Sequence, residues 1–502
     1  MNRKEFERVS PESVGLHSQD ILDFVNELEH SQTEMHGLML MRHGKIAAEG
    51  WWEPFAPNYR HGLQSHSKTY AATAVGLAYT EGFLKLDERI IDIFPEEAPE
   101  NPSENLKLLT IRDVLCMGCG MESMPRDSEH WIKDFLAIPV VHKPGTAYMY
   151  NSVGSTLLCA IVKKKTGIDA HEYLKTRLFD QIGIDESNLR WYRMADGTPM
   201  GGGGLFATTE DNLRLMKLYA DGGVWDGKRL LAEDYVKLAT SNQNDSATEA
   251  INNPLAYDNH VGYGFQIWMC RPNKVYRADG AMGQFTIVCP EQDLIIAINE
   301  TAVGVHWAQT TLDICWHYLA KVSKVEKGKE DSLPEDNSAL DELRRKMSTL
   351  ALPRPAYQPY SPYIEKINGK TFSVSGNLSF RLSSFMTRHK EPGIREITFT
   401  FDDYGFVCRY STGDDEEEVR VLTSGSRAMN IMGKPTDQTQ VLLCDAYWPK
   451  ENVLTIHARW VETCLTKVLT FTFNGNTFTA EEDSNSAFKK FENSEPAVGT
   501  MK

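Results

Sequence analysis

The chain has 502 residues, is 41% hydrophobic and carries a formal net charge of -16 at pH 7, which gives enough length for two domains. This acidic balance disfavours nucleic acid and anionic membranes as partners, because both require basic patches. No apolar run reaches the length of a membrane span, and the N-terminal stretch MNRKEFERVSPESVG lacks the apolar core of a signal peptide, so we expect a cytoplasmic protein without a membrane partner.

The first part of the chain predicts a helix, two strands and a second helix. Hydrophobic spacing indicates an amphipathic helix over residues 18–29, followed by two strands around a turn at residues 43–45. The next stretch, QSHSKTYAATAVGLAYTEG from Gln64 to Gly82, has almost no polar face. A helix without a polar face belongs in the interior, so we expect it to be buried.

Helical periodicity dominates from about residue 105 to residue 235, and strands return after it. Thr208 and Asp211 have the spacing of a capping box at the start of one helix. The strand-like runs are YGFQIWMC, VYRADG, QFTIVCP and LIIAINE, between residues 263 and 300, and a last helix is predicted at 307–322. Strands at both ends with helices between them predict one sheet built from the two extremities, with a cleft where the helical insertion meets it.

The composition changes after residue 322. A charged stretch, a short helix NSALDELRRKM and a proline-rich run precede alternating segments such as REITFTF and KVLTFTFNGNTFTAEE. We therefore expect a first domain over residues 1–325, a linker with a short helix over 326–362 and a separate antiparallel β domain over 363–502. The fold class is α+β: a mixed antiparallel sheet with flanking helices and an all-helical insertion, followed by that β domain.

The nine cysteines are an odd number, scattered among apolar neighbours. Such cysteines act as small buried hydrophobes in a reducing compartment. Cys116 and Cys119 form a Cys-X-X-Cys pair, but with no second pair and no histidine ligands nearby a metal or redox site is not favoured.

Ser65 and Lys68 open the buried helix and lie three residues apart, on one helix face. The amine can therefore point at the hydroxyl, and desolvation would lower its pKa toward that of a usable base. Ser67 is an alternative nucleophile, but it lies on another face. A second Ser-X-X-Lys, formed by Ser486 and Lys489, has no apolar helix behind it and is interpreted as solvated surface.

Further candidates lie downstream of this pair. Tyr148 and Tyr150 stand on a loop led by Pro144 and Gly145, where a second proton carrier could come from, although a loop tyrosine is most often a packing residue. The run ADGAMGQF places two glycines around a strand start, where backbone N–H groups can approach a ligand. The glycines at 201–204 lack the residues of a phosphate loop, so close backbone packing beside the cleft is favoured.

Two neighbouring side chains have open interpretations. His66 is either a pocket residue or a helix cap. Trp268, in a predicted strand, is interpreted as core rather than as a substrate platform.

These motifs resemble the serine β-lactamase and penicillin-binding protein superfamily, in the branch with class C β-lactamases, D,D-peptidases, related esterases and 6-aminohexanoate-dimer hydrolases. The similarity covers approximately residues 37–320. Its elements occur in the family's order: SHSK, LTIRDVLCMGCGM, PGTAYMYNS, GGGGLFATTEDNLRLMKLYADGG and RADGAMGQFTIVCP.

The resemblance implies a role for several residues. Ser65 would be the acylated nucleophile and Lys68 its base, and Tyr150, by its offset from Pro144, matches the tyrosine that passes a proton to the leaving group. The backbone N–H groups of Ser65 and Ala281 would form the oxyanion hole. The implied chemistry is two-step acyl transfer on a small molecule, with neither a metal nor an organic cofactor.

Two departures from the family pattern bear on the substrate. Ser152 stands where the family usually has Asn, and the third motif reads Ala278-Asp279-Gly280 instead of beginning with Lys or His. The group that would bind a substrate carboxylate is therefore missing, and an acid stands beside the gap. Esterase or non-lactam amidase activity is favoured, and Asp279 is either a selector for cationic substrates or a solvated acid at the strand end.

Two alternatives remain beside this hypothesis. One is a penicillin-recognising D,D-peptidase or β-lactamase. The other is a non-catalytic member of the fold that binds or senses a ligand, which the changes at Ser152 and Ala278 would suit.

Overall fold

A computed structural model describes residues 4–125, 128–303, 305–326, 328–354, 358–382, 391–436, 439–485 and 495–502. The chain separates into two compact units, residues 1–351 and 352–502. The second Ser-X-X-Lys, at Ser486 and Lys489, lies outside the described residues.

The first unit contains eleven strands within the described residues. They are β1 (Glu34–Arg42), β2 (Lys45–Trp51), β3 (His61–Gly62), β4 (Arg190–Trp191), β5 (Leu205–Ala207), β6 (Val224–Trp225), β7 (Lys228–Arg229), β8 (Trp268–Met269), β9 (Tyr276–Gly280), β10 (Gln284–Cys289) and β11 (Leu294–Thr301).

Six of these strands form the main sheet, in the order β2-β1-β11-β10-β9-β8. Every neighbouring pair is antiparallel. At the centre β1 pairs with β11, with Leu38 opposite Ile298. The two ends of the domain therefore meet in one sheet, which confirms the predicted α+β architecture.

The strand predicted from Tyr263 is wrong over most of its length, because only Trp268 and Met269 belong to β8. Gln266 has a left-handed φ of 56°, which ends regular strand geometry. A β-carbon on Gly264 would lie 2.1 Å from the carbonyl oxygen of Ala239. This segment is thus a tight crossing that packs against helices rather than a ladder strand.

Thirteen helices of the first unit flank the sheet or form the insertion, within the described residues. They are α1 (Ser18–His30), α2 (Ser67–Thr80), α3 (Ile90–Ile93), α4 (Ile111–Leu115), α5 (Trp131–Ala137), α6 (Ser152–Thr166), α7 (Ala170–Leu174), α8 (Asp180–Ile182), α9 (Thr209–Ala220), α10 (Glu233–Ala239), α11 (Glu249–Asn252), α12 (Val305–Leu319) and α13 (Asn337–Ser348). Thr208 caps α9 and exchanges hydrogen bonds with Asp211, which confirms the predicted capping box.

Helix α2 is the buried helix that its sequence predicts, and Ala71, Ala74 and Val75 are fully enclosed. Its beginning differs from the prediction. The α-helix starts at Ser67, and Gln64–His66 form a single 3-10 turn before it. Gln64 has a left-handed φ of 50°, which is incompatible with an α-helical residue, so Ser65 lies in the turn and not in the first turn of the α-helix.

A small three-stranded sheet, in the order β3-β5-β4, joins two parts of the chain that are distant in sequence. Strand β3 ends just before the Ser65 turn, and its Gly62 pairs with Phe206 of β5. Strand β5 directly follows the glycine run at 201–204. This pairing brings the glycine run beside the start of α2.

The helix predicted within residues 326–362 is α13, and it lies in the first unit. Its Leu340 and Leu343 are buried. The chain before it is held by Arg42, a buried side chain that donates to the carbonyl oxygen of Gly15 at 2.7 Å and to Asp331 at 3.2 Å.

The second unit is an antiparallel β domain, as predicted. Its elements are α14 (Ile364–Ile367), β12 (Thr371–Ser375), β13 (Glu396–Asp402), β14 (Gly405–Ser411), β15 (Glu416–Leu422), β16 (Ala428–Thr436), β17 (Thr439–Lys450), β18 (Val453–Trp460), β19 (Thr466–Asn474), β20 (Thr477–Ser484) and β21 (Ala497–Met501). Within the described residues of this unit, ten strands form one sheet, in the order β15-β14-β13-β12-β21-β20-β19-β18-β17-β16. A parallel pairing of Leu422 with Asp445 closes it around a core of phenylalanines.

Two further observations concern the described part of the chain. No helix in it combines the length and the apolar content needed to cross a bilayer. All nine cysteines are buried free thiols, which confirms that they serve as small core residues, including Cys116 and Cys119.

Candidate active site

Ser65 lies at the junction of the sheet and the helical insertion, in the turn that leads into α2. Its neighbour Ser67 is fully buried and fixes this turn: the Ser67 hydroxyl donates to the carbonyl oxygen of Gln64 at 2.7 Å and accepts from the backbone N–H of Leu205 at 3.0 Å. Both hydrogen bonds of the Ser67 hydroxyl are therefore made with backbone groups. Ser67 is therefore a support of the turn, and Ser65 is the serine that remains partly exposed.

Lys68 is the base candidate beside Ser65. Its side chain is only 1% exposed, and its Nζ donates to Ser65 Oγ at 3.0 Å and to the carbonyl oxygen of Gly202. Burial lowers the pKa of Lys68 to about 7, although the carboxylate of Asp279 acts in the opposite direction. An amine in this state is a usable base at neutral pH.

The glycine run at 201–204 supplies the second acceptor of Lys68, the carbonyl oxygen of Gly202. The same run packs very closely against α6. A β-carbon on Gly202 would lie 2.2 Å from the carbonyl oxygen of Ser152, and one on Gly201 would lie 2.4 Å from that of Ser155. The backbone N–H of Gly202 donates to Thr156 Oγ1 at 3.1 Å. The close packing predicted for these glycines is confirmed.

Tyr150 meets both members of the Ser65–Lys68 pair. The Lys68 Nζ lies over the face of its ring, 4.7 Å from the ring centre, which is a favourable position for an ammonium. Burial raises the pKa of Tyr150 well above its ordinary value, and a hydrogen bond between the side chains of Ser65 and Tyr150 offsets part of that rise. The phenol of Tyr150 therefore lies within hydrogen-bond reach of the Ser65 side chain.

An aromatic cluster holds Tyr150 in place. Its ring stacks on Trp268, with centroids 5.7 Å apart and planes 18° from parallel, and Tyr263 meets Trp268 edge-on at 4.7 Å. Trp268 is buried, as expected of a core residue. Tyr148 packs into the same cluster, and its hydroxyl has no hydrogen-bond partner among the described residues.

Asn151 and Ser152 follow Tyr150 at the start of α6. Asn151 is fully buried and caps the helix, with its side-chain oxygen accepting from the N–H of Gly154 at 2.8 Å. Its amide therefore serves the helix and not the cleft. Ser152 is the first residue of α6 and is partly exposed.

Strand β9 borders the Ser65 turn on the other side. A β-carbon on Gly280 would lie 2.0 Å from the carbonyl oxygen of Leu63, so only glycine permits this approach. Ala281 follows directly and is exposed, whereas the side chain of Ala278 is fully buried in the sheet. The missing side chain of Gly280 thus serves a close approach to Leu63, and the predicted approach of backbone N–H groups to a ligand stays a prediction.

One of the two interpretations of Asp279, as a solvated acid at the strand end, is wrong. Its Oδ2 accepts from Arg277 Nε at 2.8 Å, the arginine side chain is fully buried, and that of Asp279 is 19% exposed. Burial raises the pKa of Asp279, and the adjacent guanidinium and the ammonium of Lys68 lower it. Its other interpretation, as a selector of cationic substrates, stays a prediction.

His66 makes no side-chain hydrogen bond to the start of α2, so it is not a side-chain cap. It is buried, and its Nε2 lies 3.0 Å from Thr286 Oγ1 of β10. Burial lowers the pKa of His66 to about 4, which leaves the imidazole neutral at neutral pH.

Sequence reasoning missed three supports of the site. Gln266 accepts from Ser155 Oγ at 2.7 Å, Gln284 donates to the carbonyl oxygens of Met282 and Glu300 at 3.2 Å and 2.7 Å, and Arg277 holds Asp279. Of these three, only Arg277 could have been identified from the sequence. Residues two apart on a strand share a face, and Arg277 and Asp279 of the run RADG carry opposite charges at that spacing.

An antiparallel sheet flanked by helices, with Ser65, Lys68 and Tyr150 clustered at their junction, is the arrangement that defines the serine β-lactamase and penicillin-binding protein superfamily. The family model described as Beta-lactamase matches residues 26–307, which is more than half of the chain. The chain therefore belongs to the β-lactamase family, whose named relatives include hydrolases.

Three known proteins are similar to this chain. The 6-aminohexanoate-dimer hydrolase of Paenarthrobacter ureafaciens is 24% identical over 300 residues, which cover 55% of this chain and 74% of that protein. A penicillin-binding protein homologue from Caulobacter crescentus has a TM-score of 0.50 at 16% identity, over 63% of this chain and 100% of the other. The octameric penicillin-binding protein homologue from Pyrococcus abyssi has a TM-score of 0.46 at 13% identity, over 96% and 99% of the two chains.

Proposed function

We propose that this protein is a serine hydrolase that cleaves a small ester or amide through an acyl-enzyme on Ser65. The observation that carries the proposal is the buried amine of Lys68, whose pKa is lowered to about 7 and whose Nζ lies 3.0 Å from Ser65 Oγ. A buried amine beside a partly exposed hydroxyl can act as the base that activates this hydroxyl as a nucleophile.

The proposed reaction has two steps. Neutral Lys68 accepts the proton of Ser65 as Oγ bonds to the substrate carbonyl carbon, and the oxyanion is stabilised by the backbone N–H groups of Ser65 and Ala281. Tyr150 then passes its proton to the leaving group as the bond from the carbonyl carbon to that group breaks, and the proton that Lys68 took from Ser65 moves to the phenolate of Tyr150. In the second step Lys68 accepts a proton from water as the water oxygen bonds to the acyl carbon, the bond to Ser65 Oγ breaks, and that proton returns to Oγ as the acid is released.

The third motif favours ester and amide substrates over penicillins. A β-lactam or a D-Ala terminus presents a carboxylate, and the position where the family places a basic side chain is the buried methyl group of Ala278. The neighbouring Asp279 would repel such an anion. The protein is accordingly proposed to be an esterase or a non-lactam amidase, with Ser152, Asp279 and Gly280 on the substrate side, whereas the buried side chain of Ala278 does not reach the substrate.

Labelling with a fluorophosphonate probe, together with hydrolysis of a chromogenic short-chain ester, tests the proposal. We expect a covalent adduct and turnover that are both lost in Ser65→Ala. Ser348→Ala is a matched control, because Ser348 is an exposed serine at the end of α13. Absence of any Ser65-dependent adduct or turnover would refute the proposal.

A second candidate function is non-catalytic ligand binding in the same cleft, which the changed residues at Ser152 and Ala278 favour. It predicts that Ser65→Ala retains the full ligand affinity and every other measurable function. Nitrocefin turnover or a stable fluorescent-penicillin adduct would instead support penicillin recognition, and we expect neither.

A further inference from the structure

Two methionine sulfurs accept hydrogen bonds from the start of helix α6, immediately after Tyr150. The backbone N–H of Asn151 donates to Met117 Sδ at 3.1 Å, and that of Ser152 donates to Met124 Sδ at 3.2 Å. N–H groups at the beginning of a helix have no acceptor within the helix itself. A thioether sulfur is a weak acceptor, so both contacts depend on the sulfur keeping its position and its chemical state.

The segment that carries these sulfurs is also hydrogen-bonded to the loop that carries Tyr150. The backbone N–H of Met149 donates to the carbonyl oxygen of Met117 at 3.0 Å, and that of Gly145 donates to the carbonyl oxygen of Gly118 at 2.8 Å. Together with the two sulfur contacts, these bonds attach the whole loop to the segment, up to the first residue of α6. A chemical change at a sulfur therefore acts on the backbone that directly follows Tyr150.

Solvent reaches one of these two methionines. Met124 is 44% exposed, whereas Met117 is 1% exposed. Within the described part of the chain, Met429 of the second unit is also largely exposed, at 57%. All nine cysteines are buried, so a dissolved oxidant meets the thioether of Met124 more readily than it meets a thiol.

We propose that Met124 is a site of methionine oxidation through which a peroxide inhibits this protein. The sulfur bonds to one oxygen of hydrogen peroxide as the O–O bond breaks, and the other oxygen leaves as water with both protons. The thioether is oxidised to a sulfoxide, and the peroxide is reduced. The inference deepens the proposed function and depends on it for the inhibition, but not for the oxidation or for its effect on the Ser152 N–H.

Oxidation removes the acceptor of the Ser152 N–H. The sulfur of a sulfoxide carries a partial positive charge, and its polar oxygen is best solvated by the water that the exposed Met124 side chain already meets. The start of α6 then lacks one of its acceptors, and the phenol of Tyr150 shifts relative to Ser65. Displacement of catalytic groups by about an ångström costs about a hundredfold in rate, and we expect about tenfold for the smaller shift here.

Treatment of the full chain with hydrogen peroxide tests the site. Peptide mass spectrometry measures the oxidation of each methionine, and hydrogen exchange resolved to single residues measures the Ser152 amide. We expect Met124 to be oxidised ahead of Met117, and the Ser152 amide to exchange about tenfold faster afterwards. Ester hydrolysis should fall about tenfold and recover with methionine sulfoxide reductases A and B and their thiol reductant, whereas the thiol alone should restore nothing.

Two leucine variants form a matched pair. Met124→Leu removes the thioether and keeps an apolar side chain, so peroxide should not change the activity that this variant retains. Met429→Leu removes the other exposed methionine and should stay as sensitive to peroxide as the wild type. Met124→Gln introduces a polar group in place of the thioether, and its activity should be reduced without any oxidant.

The outcomes separate the oxidation site from the proposed function. The site is overturned if oxidation of Met124 leaves exchange at Ser152 unchanged, or if peroxide inhibits Met124→Leu as strongly as the wild type. Oxidation of Met124 that leaves hydrolysis unchanged overturns the inhibition. If the untreated protein shows no Ser65-dependent hydrolysis, the proposed function fails, while the mass and exchange measurements still decide whether Met124 is the oxidation site.

Discussion

The main chain of Gly280 passes so close to Leu63 that a β-carbon on the glycine would lie 2.0 Å from the carbonyl oxygen of the leucine. This approach connects strand β9, which carries Asp279, to the turn that carries Ser65. The distance between the two oxyanion donors proposed above is therefore set by a missing side chain.

Gly280→Ala should separate the strand from the turn and reduce kcat/KM by about a hundredfold, because displacement of catalytic groups by about an ångström has effects of that size. The measurement is ester hydrolysis alongside the melting temperature, which should fall as well. Gly433→Ala is the control, since no atom lies within 4 Å of its added β-carbon. An active Gly280→Ala variant would contradict the proposed geometry.

The pH dependence of kcat/KM should report the amine of Lys68. Its basic form is the reactive one, so activity should rise with pH through about 7 and be lost below it. The carboxylate of Asp279 raises the pKa of Lys68, and Asp279→Asn should therefore shift the acid limb to lower pH. If the acid limb of kcat/KM lies at the same pH in Asp279→Asn as in the wild type, electrostatic coupling between Lys68 and Asp279 is excluded.

Lys68→Met should abolish activity and stabilise the fold at neutral pH, by on the order of 2 kcal/mol. The pKa of Lys68 is lowered from 10.5 to about 7 on folding, so the folded state binds fewer protons than the unfolded state between these values, and the stability of the wild type rises with pH in that interval. The variant should lack this rise. Chemical denaturation across the same interval measures both effects, and a Lys68→Met variant less stable than the wild type would oppose the interpretation.

Arg277→Met should destabilise the first unit by about 3–5 kcal/mol, because it leaves the carboxylate of Asp279 buried without a counter-charge. The double change Arg277→Met with Asp279→Asn should recover part of the loss. Arg89→Met breaks the exposed ion pair with Asp92, half of whose side-chain area is accessible, and should cost little. If the two arginine variants lost equal free energies of unfolding, the buried ion pair would contribute no more to stability than the exposed one.

Local patterns were sufficient to predict much of the fold and the central pair of the site. The apolar length of α2, the capping box at Thr208 and the Ser65–Lys68 spacing all depend on residues close in sequence, and so could be identified without any tertiary information. The left-handed turn at Gln64 could not, since its geometry is imposed by the pairing of β3 with β5 and by the hydrogen bonds of Ser67.

Long-range contacts explain what the sequence did not indicate. The hydrogen bond of His66 with Thr286 and the contacts of Gln266 with α4 and α6 join residues more than a hundred positions apart. The segment from Tyr263 was predicted as a strand from its apolar and aromatic content, but the packing of Gly264 against Ala239 overrides that propensity.

The pairing of β1 with β11 has a consequence for synthesis of the protein. Glu34–Arg42 leave the ribosome early, but their central partner, Leu294–Thr301, follows more than 250 residues later. A growing chain that has completed the helical insertion holds the serine and its amine without the strand that passes beside Leu63. We therefore expect the nascent polypeptide to be inert, and the Ser65 hydroxyl, the proposed nucleophile, to acquire its full surroundings only when translation of the first unit is nearly finished.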